Sequence, residues 1–197
     1  MKFILASASP RRRELLEALG LRIHVIPSGV EEQLGAGESP QEYVSRLAAE
    51  KAEEVARRHP EDWVIAADTV VYIDGRILEK PSDPADAKRM LATIAGREHE
   101  VFTGVALRRI SPDHRDVRVS RTRVRMTVLS DQEIEWYVAT GEPLDKAGAY
   151  AVQGVGAMFI ESVDGNYTNV VGLPLVTLFG MMKEAGIHPL HLHTALE

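Results

Sequence analysis

The sequence predicts an α/β protein whose sheet is mixed rather than purely parallel. Short apolar runs with strand character alternate with segments bounded by helix caps, the pattern of a sheet covered by helices. Two pairs of these runs are separated only by turn-rich connections, at Asp74-Gly75 and at "SPDHRD", and such short links suit antiparallel neighbours. The chain has 197 residues, 45% of them hydrophobic and 26% charged, enough for one large domain or two small lobes with a proper core.

Taken in order, "KFILA" at 2–6 reads as a short buried strand. Ser9 and Pro10 then open a helix as N-cap and first helical residue, and Gly20 stops it after Leu19. "RIHVIPSGVEE" is a second strand running into a loop. Ser39, Pro40 and Glu42 form a capping box for a helix reaching about His59. "WVIAADTVVYIDGRILEKP" gives two strands around the Asp74-Gly75 turn. Asp83 and Pro84 start another helix, which Gly96 ends. "HEVFTGVALRRI" and "VRVSRTRVRMTVL" are two long strands paired across "SPDHRD". Ser130 and Glu133 cap a helix that stops at Gly141. Residues 147–163 read as a glycine-rich strand region, "GLPL" introduces a final apolar helix, and 188–197 read as a tail.

Composition narrows the function. Twenty-three basic against 29 acidic side chains give a net charge of −6, and only 6% of residues are aromatic, so a nucleic-acid partner is not expected. The chain has no cysteine, which excludes disulfides, thiolate metal sites and cysteine nucleophiles. "MKFILASASP" holds too short an apolar stretch for a signal peptide, and "VVGLPLVTLFGMM" is too short to span a bilayer and is broken by Gly and Pro. A cytoplasmic protein without a membrane partner is the expectation. The histidines follow no metal-binding spacing, and the strand face of Arg121, Arg123 and Arg125 reads as a solvated edge.

Three stretches point to anionic chemistry. In "ASASPRRRELLEALG", Arg11, Arg12 and Arg13 fall in the first turn of a helix, the end whose dipole favours acidic side chains. Either these arginines are solvated or an anion faces them; hydroxyls at Ser7 and Ser9 and a helix N-terminus make a ready phosphate site. Neither G-x-x-x-x-G-K-[ST] nor G-x-G-x-x-G is present, so neither standard phosphate loop is used. Asp68, in "VIAADTVVYI", puts a carboxylate among apolar neighbours, a costly place unless it is paired, binds metal or meets a cleft. A base or metal ligand is preferred there over a strand-end aspartate that only accepts backbone N–H groups. Lys51 shares the helix face of Val44, Leu47, Ala48 and Val55, so its ammonium either snorkels out or enters an internal anionic site. Lys80, held extended before Pro81, is a surface lysine alone and a phosphate ligand if near Asp68. Glu31 or Glu32 could join Asp68 on a divalent ion, since phosphate-bound Mg²⁺ needs only one or two carboxylates. "DKAGAYAVQGVGAMFIESVDGNYTNVVGLP" combines dense glycine with Gln153 and Asn169, allowing tight turns or close approach to a ligand.

Together, "SASPRR", "EE" at 31–32, "EKA" at 50–52, "AADTVV", "EKP" at 79–81, "TGE" with "DKAGAYAVQG", and "NVVGLP" occur in the order of the Maf family of nucleoside triphosphate pyrophosphatases, which the chain resembles over nearly its whole length. The resemblance implies an ITPase-like (Maf/Ham1-type) fold, with an elongated mixed sheet flanked by helices and two lobes around a central cleft, over residues 1–187. It implies a cytoplasmic homodimer that uses a divalent cation, Mg²⁺ or Mn²⁺, to split a nucleoside triphosphate between its α and β phosphates. By motif, Asp68 matches the catalytic base and, with Glu32, the metal site; Ser7, Arg12, Lys51 and Lys80 are the implied phosphate ligands. Arg11, Thr69 and Gln153 fall at the positions linked to substrate choice, and this set resembles the dTTP/UTP branch. The alternatives are a pyrophosphatase for 7-methyl-GTP or non-standard purines, and a nucleotide-binding regulator of septum formation.

Overall fold

The alternation of buried residues along the first strand sets up a sheet covered on both faces. In β1 (Phe3–Leu5), Phe3 and Leu5 enter one apolar cluster while Ile4 enters another, as a period of two requires. The computed structural model describes residues 2–188; the tail read at 188–197 lies outside the described residues from position 189 onward.

The remaining elements follow in chain order as α1 (Pro10–Ala18), β2 (Ile23–Val25), α2 (Pro40–Arg58), β3 (Trp63–Ile73), β4 (Arg76–Leu78), α3 (Pro84–Ile94), β5 (Glu98–Arg109), β6 (His114–Met126), α4 (Asp131–Ala139), β7 (Ile160–Asp164), α5 (Tyr167–Val171) and α6 (Leu175–Glu184). The strand order is β2-β1-β3-β5-β6-β7, with β4 on β3. β1 runs parallel to β2 and β3, whereas β3/β4 and β6/β7 are antiparallel, so the sheet is mixed.

The expected caps form at α2 and α4, where Ser39/Glu42 and Ser130/Glu133 make complete capping boxes. Asp83 accepts from the Asp86 N–H at the start of α3. Ser9 occupies the N-cap position of α1, but its side chain makes no capping bond. Asp74 (φ 50°) and Gly75 (φ 75°) both take the left-handed backbone of a tight hairpin turn.

Two expectations need correction. Residues 147–163 are mostly not a strand: Ala147–Ala149 and Gly154–Phe159 are short 3₁₀ turns, and only Ile160–Asp164 is extended. Gly148 (φ 69°), Ala149 (φ 60°) and Gly154 (φ 67°) take left-handed angles that a strand cannot use. The arginine face of β6 is not an edge either, because β5 and β7 flank that strand. Arg121, Arg123 and Arg125 are exposed and pair with Glu100, Asp164 and Glu161. Helix α5, hidden in the motif "NYTNVV", escapes the sequence reading.

The chain divides into two compact units. The first comprises Met1–Asp68, Thr103–Ser120 and Gly172–Glu197. In its described part, one cluster joins Phe3, Leu5, Leu16, Ile65 and Leu107 to Leu178 and Met181 of α6. Another packs Ile4, Val64 and Ala66 against Ala48, Ala52 and Val55 of α2. Helix α2 lies so close to β5 that a Cβ at Gly104 would fall 2.1 Å from the Val44 carbonyl oxygen. The second unit comprises Thr69–Phe102 and Arg121–Val171. Its core includes Leu91 and Ile94 of α3, Ile134 and Tyr137 of α4, and Phe159.

Candidate active site

Asp68 is placed by the pleat of β3. It shares a face with Val64 and Ala66, two residues earlier at each step, and that face is covered by α2. Lys51 lies on the buried side of the same helix, among Leu47, Ala48, Ala52 and Val55. Its stem is therefore packed in apolar surroundings. Its ammonium donates to Asp68 Oδ1 at 2.6 Å and to Glu32 Oε1 at 2.5 Å. Lys51 and Asp68 each keep 9% of their side-chain exposure; Glu32, reaching in from the loop after β2, keeps 42%. Of the two readings left open for Lys51, the internal anionic site is the observed one. Of the two adjacent glutamates, Glu32 joins this cluster, while Glu31 accepts from Gln33.

The arginines of α1 divide in their surroundings. Arg13 points outward and pairs with Glu17 one turn on. Arg12 turns inward, donating from Nε to the Gly172 carbonyl at 2.8 Å and from Nη1 to Ser7 Oγ at 3.0 Å. Burial pulls its pKa below the ordinary arginine value, against the raising influence of Asp68 and Glu32. The guanidinium stays charged at any ordinary pH. Arg11, half-buried, occupies the same first turn, which contains no acidic residue. The first unit thus gathers Ser7, Arg12, Glu32, Lys51 and Asp68: two cations, two carboxylates and a hydroxyl.

The Glu32 and Asp68 carboxylates converge on one ammonium. Among the described residues no group of three or more histidine or acidic side chains could hold one. Glu32 and Asp68 supply two carboxylates, the type and number of protein donors with which a phosphate-bound Mg²⁺ is commonly held. They do not fit a closed structural site.

The remaining sequence-selected residues belong to the second unit. Thr69, half-buried, follows Asp68 in β3 and so projects from the opposite face of the strand. Lys80 and Gln153 are exposed. Gln153 sits at the N-cap of the 3₁₀ turn Gly154–Phe159 without spending its side chain on a capping bond. Sequence reasoning passed over Glu142 and Tyr137, both of which hydrogen-bond the backbone around Gln153. The glutamate of "TGE" and the glycines of "QGVG" were visible separately; their mutual contact was not.

The family model described as Maf-like protein matches residues 2–185. The chain belongs to the Maf family. This Maf chain is 48% identical over 187 residues to a protein of Koribacter versatilis (strain Ellin345) named dTTP/UTP pyrophosphatase, covering 95% of this chain and 96% of that one. It is 50% identical over 184 residues to a protein of the same name from Myxococcus xanthus (strain DK1622), covering 93% and 92%. A third so named, from Bacillus cytotoxicus, is 49% identical over 183 residues, covering 93% and 95%. Among solved structures, the Staphylococcus aureus Ham1 protein superposes with a TM-score of 0.50 at 17% identity, over 81% of this chain and 80% of that one. The Ham1-type fold expected of a Maf protein is thereby shown.

Proposed function

We propose that this Maf protein hydrolyses dTTP and UTP to the monophosphate and pyrophosphate. The observation that carries the chemistry is the buried Lys51–Asp68 pair, joined by Glu32, in the unit that also carries Arg12. Relatives about half identical along nearly their whole length, named dTTP/UTP pyrophosphatase, support the substrate.

Hydrolysis adds water across the α–β anhydride, and one phosphorus–oxygen bond breaks as another forms. Asp68 holds Lys51 through Oδ1, leaving Oδ2 to take the proton of the attacking water. Lys51 has three N–H donors; two are committed to carboxylates and the third can bind a phosphate oxygen. Arg12 is held at Nε and Nη1, which fixes the plane of a guanidinium suited to phosphate. Glu32 and Asp68 would hold a divalent ion, which supplies charge neutralisation at the phosphates and a more acidic water. Lys80 contributes a further phosphate contact, and Arg11, Thr69 and Gln153 set the base preference, roles that rest on the family resemblance. A uracil or thymine edge offers two carbonyl acceptors around one N–H, and the Gln153 amide carries both a donor and an acceptor. A cytoplasmic homodimer forming a single catalytic domain over 1–187 completes the reading. Among the described residues no helix is long and apolar enough to cross a membrane.

The deciding experiment is a panel of UTP, dTTP, CTP, ATP, GTP and 7-methyl-GTP with Mg²⁺ or Mn²⁺, scored for pyrophosphate release. A site that bonds polar base edges rejects the wrong base by orders of magnitude. Preferential release from UTP and dTTP is expected. Preference for 7-methyl-GTP or other purines overturns the pyrimidine assignment, and no release from any of them overturns hydrolysis itself.

A further inference from the structure

The segment carrying Gln153 is tied down on both sides by buried or half-buried polar groups. Before it, the Tyr150 hydroxyl lies 2.8 Å from His99 Nε2, and the Ala151 N–H donates to the Tyr137 hydroxyl at 3.0 Å. After it, the Val155 and Gly156 N–H groups donate to Glu142 Oε2 and Oε1 at 3.0 and 2.8 Å. The Tyr137 hydroxyl itself donates to Glu142 Oε1 at 2.8 Å, so one phenol links the two anchors. Tyr137 is fully buried.

The glycines of "QGVG" are explained by this carboxylate. A Cβ at Gly154 would lie 2.4 Å from Glu142 Oε2, and one at Gly156 would lie 2.3 Å from the Tyr137 hydroxyl oxygen. Successive backbone N–H groups around a concavity form an anion nest, which in a nucleotide-binding sequence suggests a phosphate loop. Here the chain's own glutamate fills the nest. Burial would raise the Glu142 carboxyl, but the Gly156 and Val155 N–H groups and the Tyr137 hydroxyl outweigh it and hold it below its ordinary value. The carboxylate is thus charged and committed to backbone. Gly154 (φ 67°) turns the chain immediately after Gln153, and nothing in the turn uses the Gln153 side chain as a cap.

We infer that Glu142 and Tyr137 are positioning residues for base selection: they hold the backbone at 151 and at 155–156 so that the intervening Gln153 amide is presented in one orientation. This rests on the assignment of Gln153 to base recognition made above. A preorganised amide discriminates between bases, whereas the same amide on a loose loop contacts any base weakly. The loss on removing either anchor should therefore fall on discrimination rather than on the phosphoryl chemistry.

The test is steady-state kinetics of the full chain on UTP and ATP for Glu142→Ala, Glu142→Gln, Tyr137→Phe and Gln153→Ala. Bonds to a charged group of this kind translate into about tenfold or more, so Glu142→Ala should lower the UTP-over-ATP ratio of kcat/KM by about that factor, chiefly through KM for UTP. Tyr137→Phe should move it in the same direction. Glu142→Gln keeps an oxygen for Tyr137 and Gly156 but turns an N–H toward Val155, and should fall between the parent and the Ala variant. Amide exchange at Val155 and Gly156 should quicken in Glu142→Gln, a readout that remains if the Ala variant does not fold. Equal losses of kcat on both nucleotides with an unchanged ratio would mean a merely structural role and overturn the inference. If Gln153→Ala changes the ratio and neither anchor variant does, positioning alone is wrong. If Gln153→Ala also leaves it unchanged, the base-reading assignment falls and this inference with it.

Discussion

Lys51 Nζ stands 2.6 Å from Asp68 Oδ1, and both side chains are buried. An aspartate in an apolar strand is costly unless paired, and this ammonium, delivered seventeen residues earlier in the chain, is the pair.

Replacing Asp68 with Asn preserves the shape and an acceptor for Lys51 while removing the basic oxygen. Pyrophosphate release from UTP should fall by at least about a hundredfold, the low end of general-base effects, while a non-hydrolysable analogue still binds. Turnover near the parental rate would remove Asp68 from its role.

Lys51→Met removes the ammonium that Glu32 and Asp68 share. Breaking a buried pair costs about 3–5 kcal/mol, so the variant should denature at lower urea than the parent. Mg²⁺ or Mn²⁺ should restore more stability to the variant than it adds to the parent, because the ion replaces the missing charge. An equal effect of metal on the two proteins would argue against an ion at these carboxylates.

Arg12 and Lys80 separate binding from folding. Lys80 is exposed, so Lys80→Ala should leave stability within about 0.5 kcal/mol yet weaken UTP binding more than uridine binding. Arg12 also braces the Gly172 carbonyl, so Arg12→Ala should lose both phosphate affinity, by roughly 1.5–3 kcal/mol, and thermal stability. Uridine and UTP weakened equally would refute the phosphate contacts.

His99 should make stability depend on pH. Burial lowers its pKa from 6.5 to about 4, so between those values the unfolded chain takes up a proton that the fold refuses. Its contribution is complete above pH 6.5 and is lost as pH falls toward 4. At 1.36 kcal/mol per pKa unit the loss reaches about 3 kcal/mol. Urea unfolding between pH 7 and 5 should show a steeper decline for the parent than for His99→Gln. Parallel slopes would exclude His99 as the titrating group.

The sequence by itself determined the capped helices and the hairpin strands, because caps, turns and apolar runs are local signals. Ser39 with Glu42, Asp74 with Gly75, and the apolar run through Trp63–Ile73 each act within a few residues. It also marked Asp68 as anomalous, since a carboxylate among apolar strand residues is visible without a partner. Only the tertiary structure decided what answers that charge. Whether Lys51 snorkels or turns inward depends on α2 covering the Asp68 face of β3, and the choice of Glu32 over Glu31 depends on how the loop after β2 returns to that helix. The glycine-rich stretch shows the same division. Its density of glycine was plain, but those glycines are needed because Glu142 and Tyr137 press against the backbone there, and no local pattern records a contact between segments more than ten residues apart.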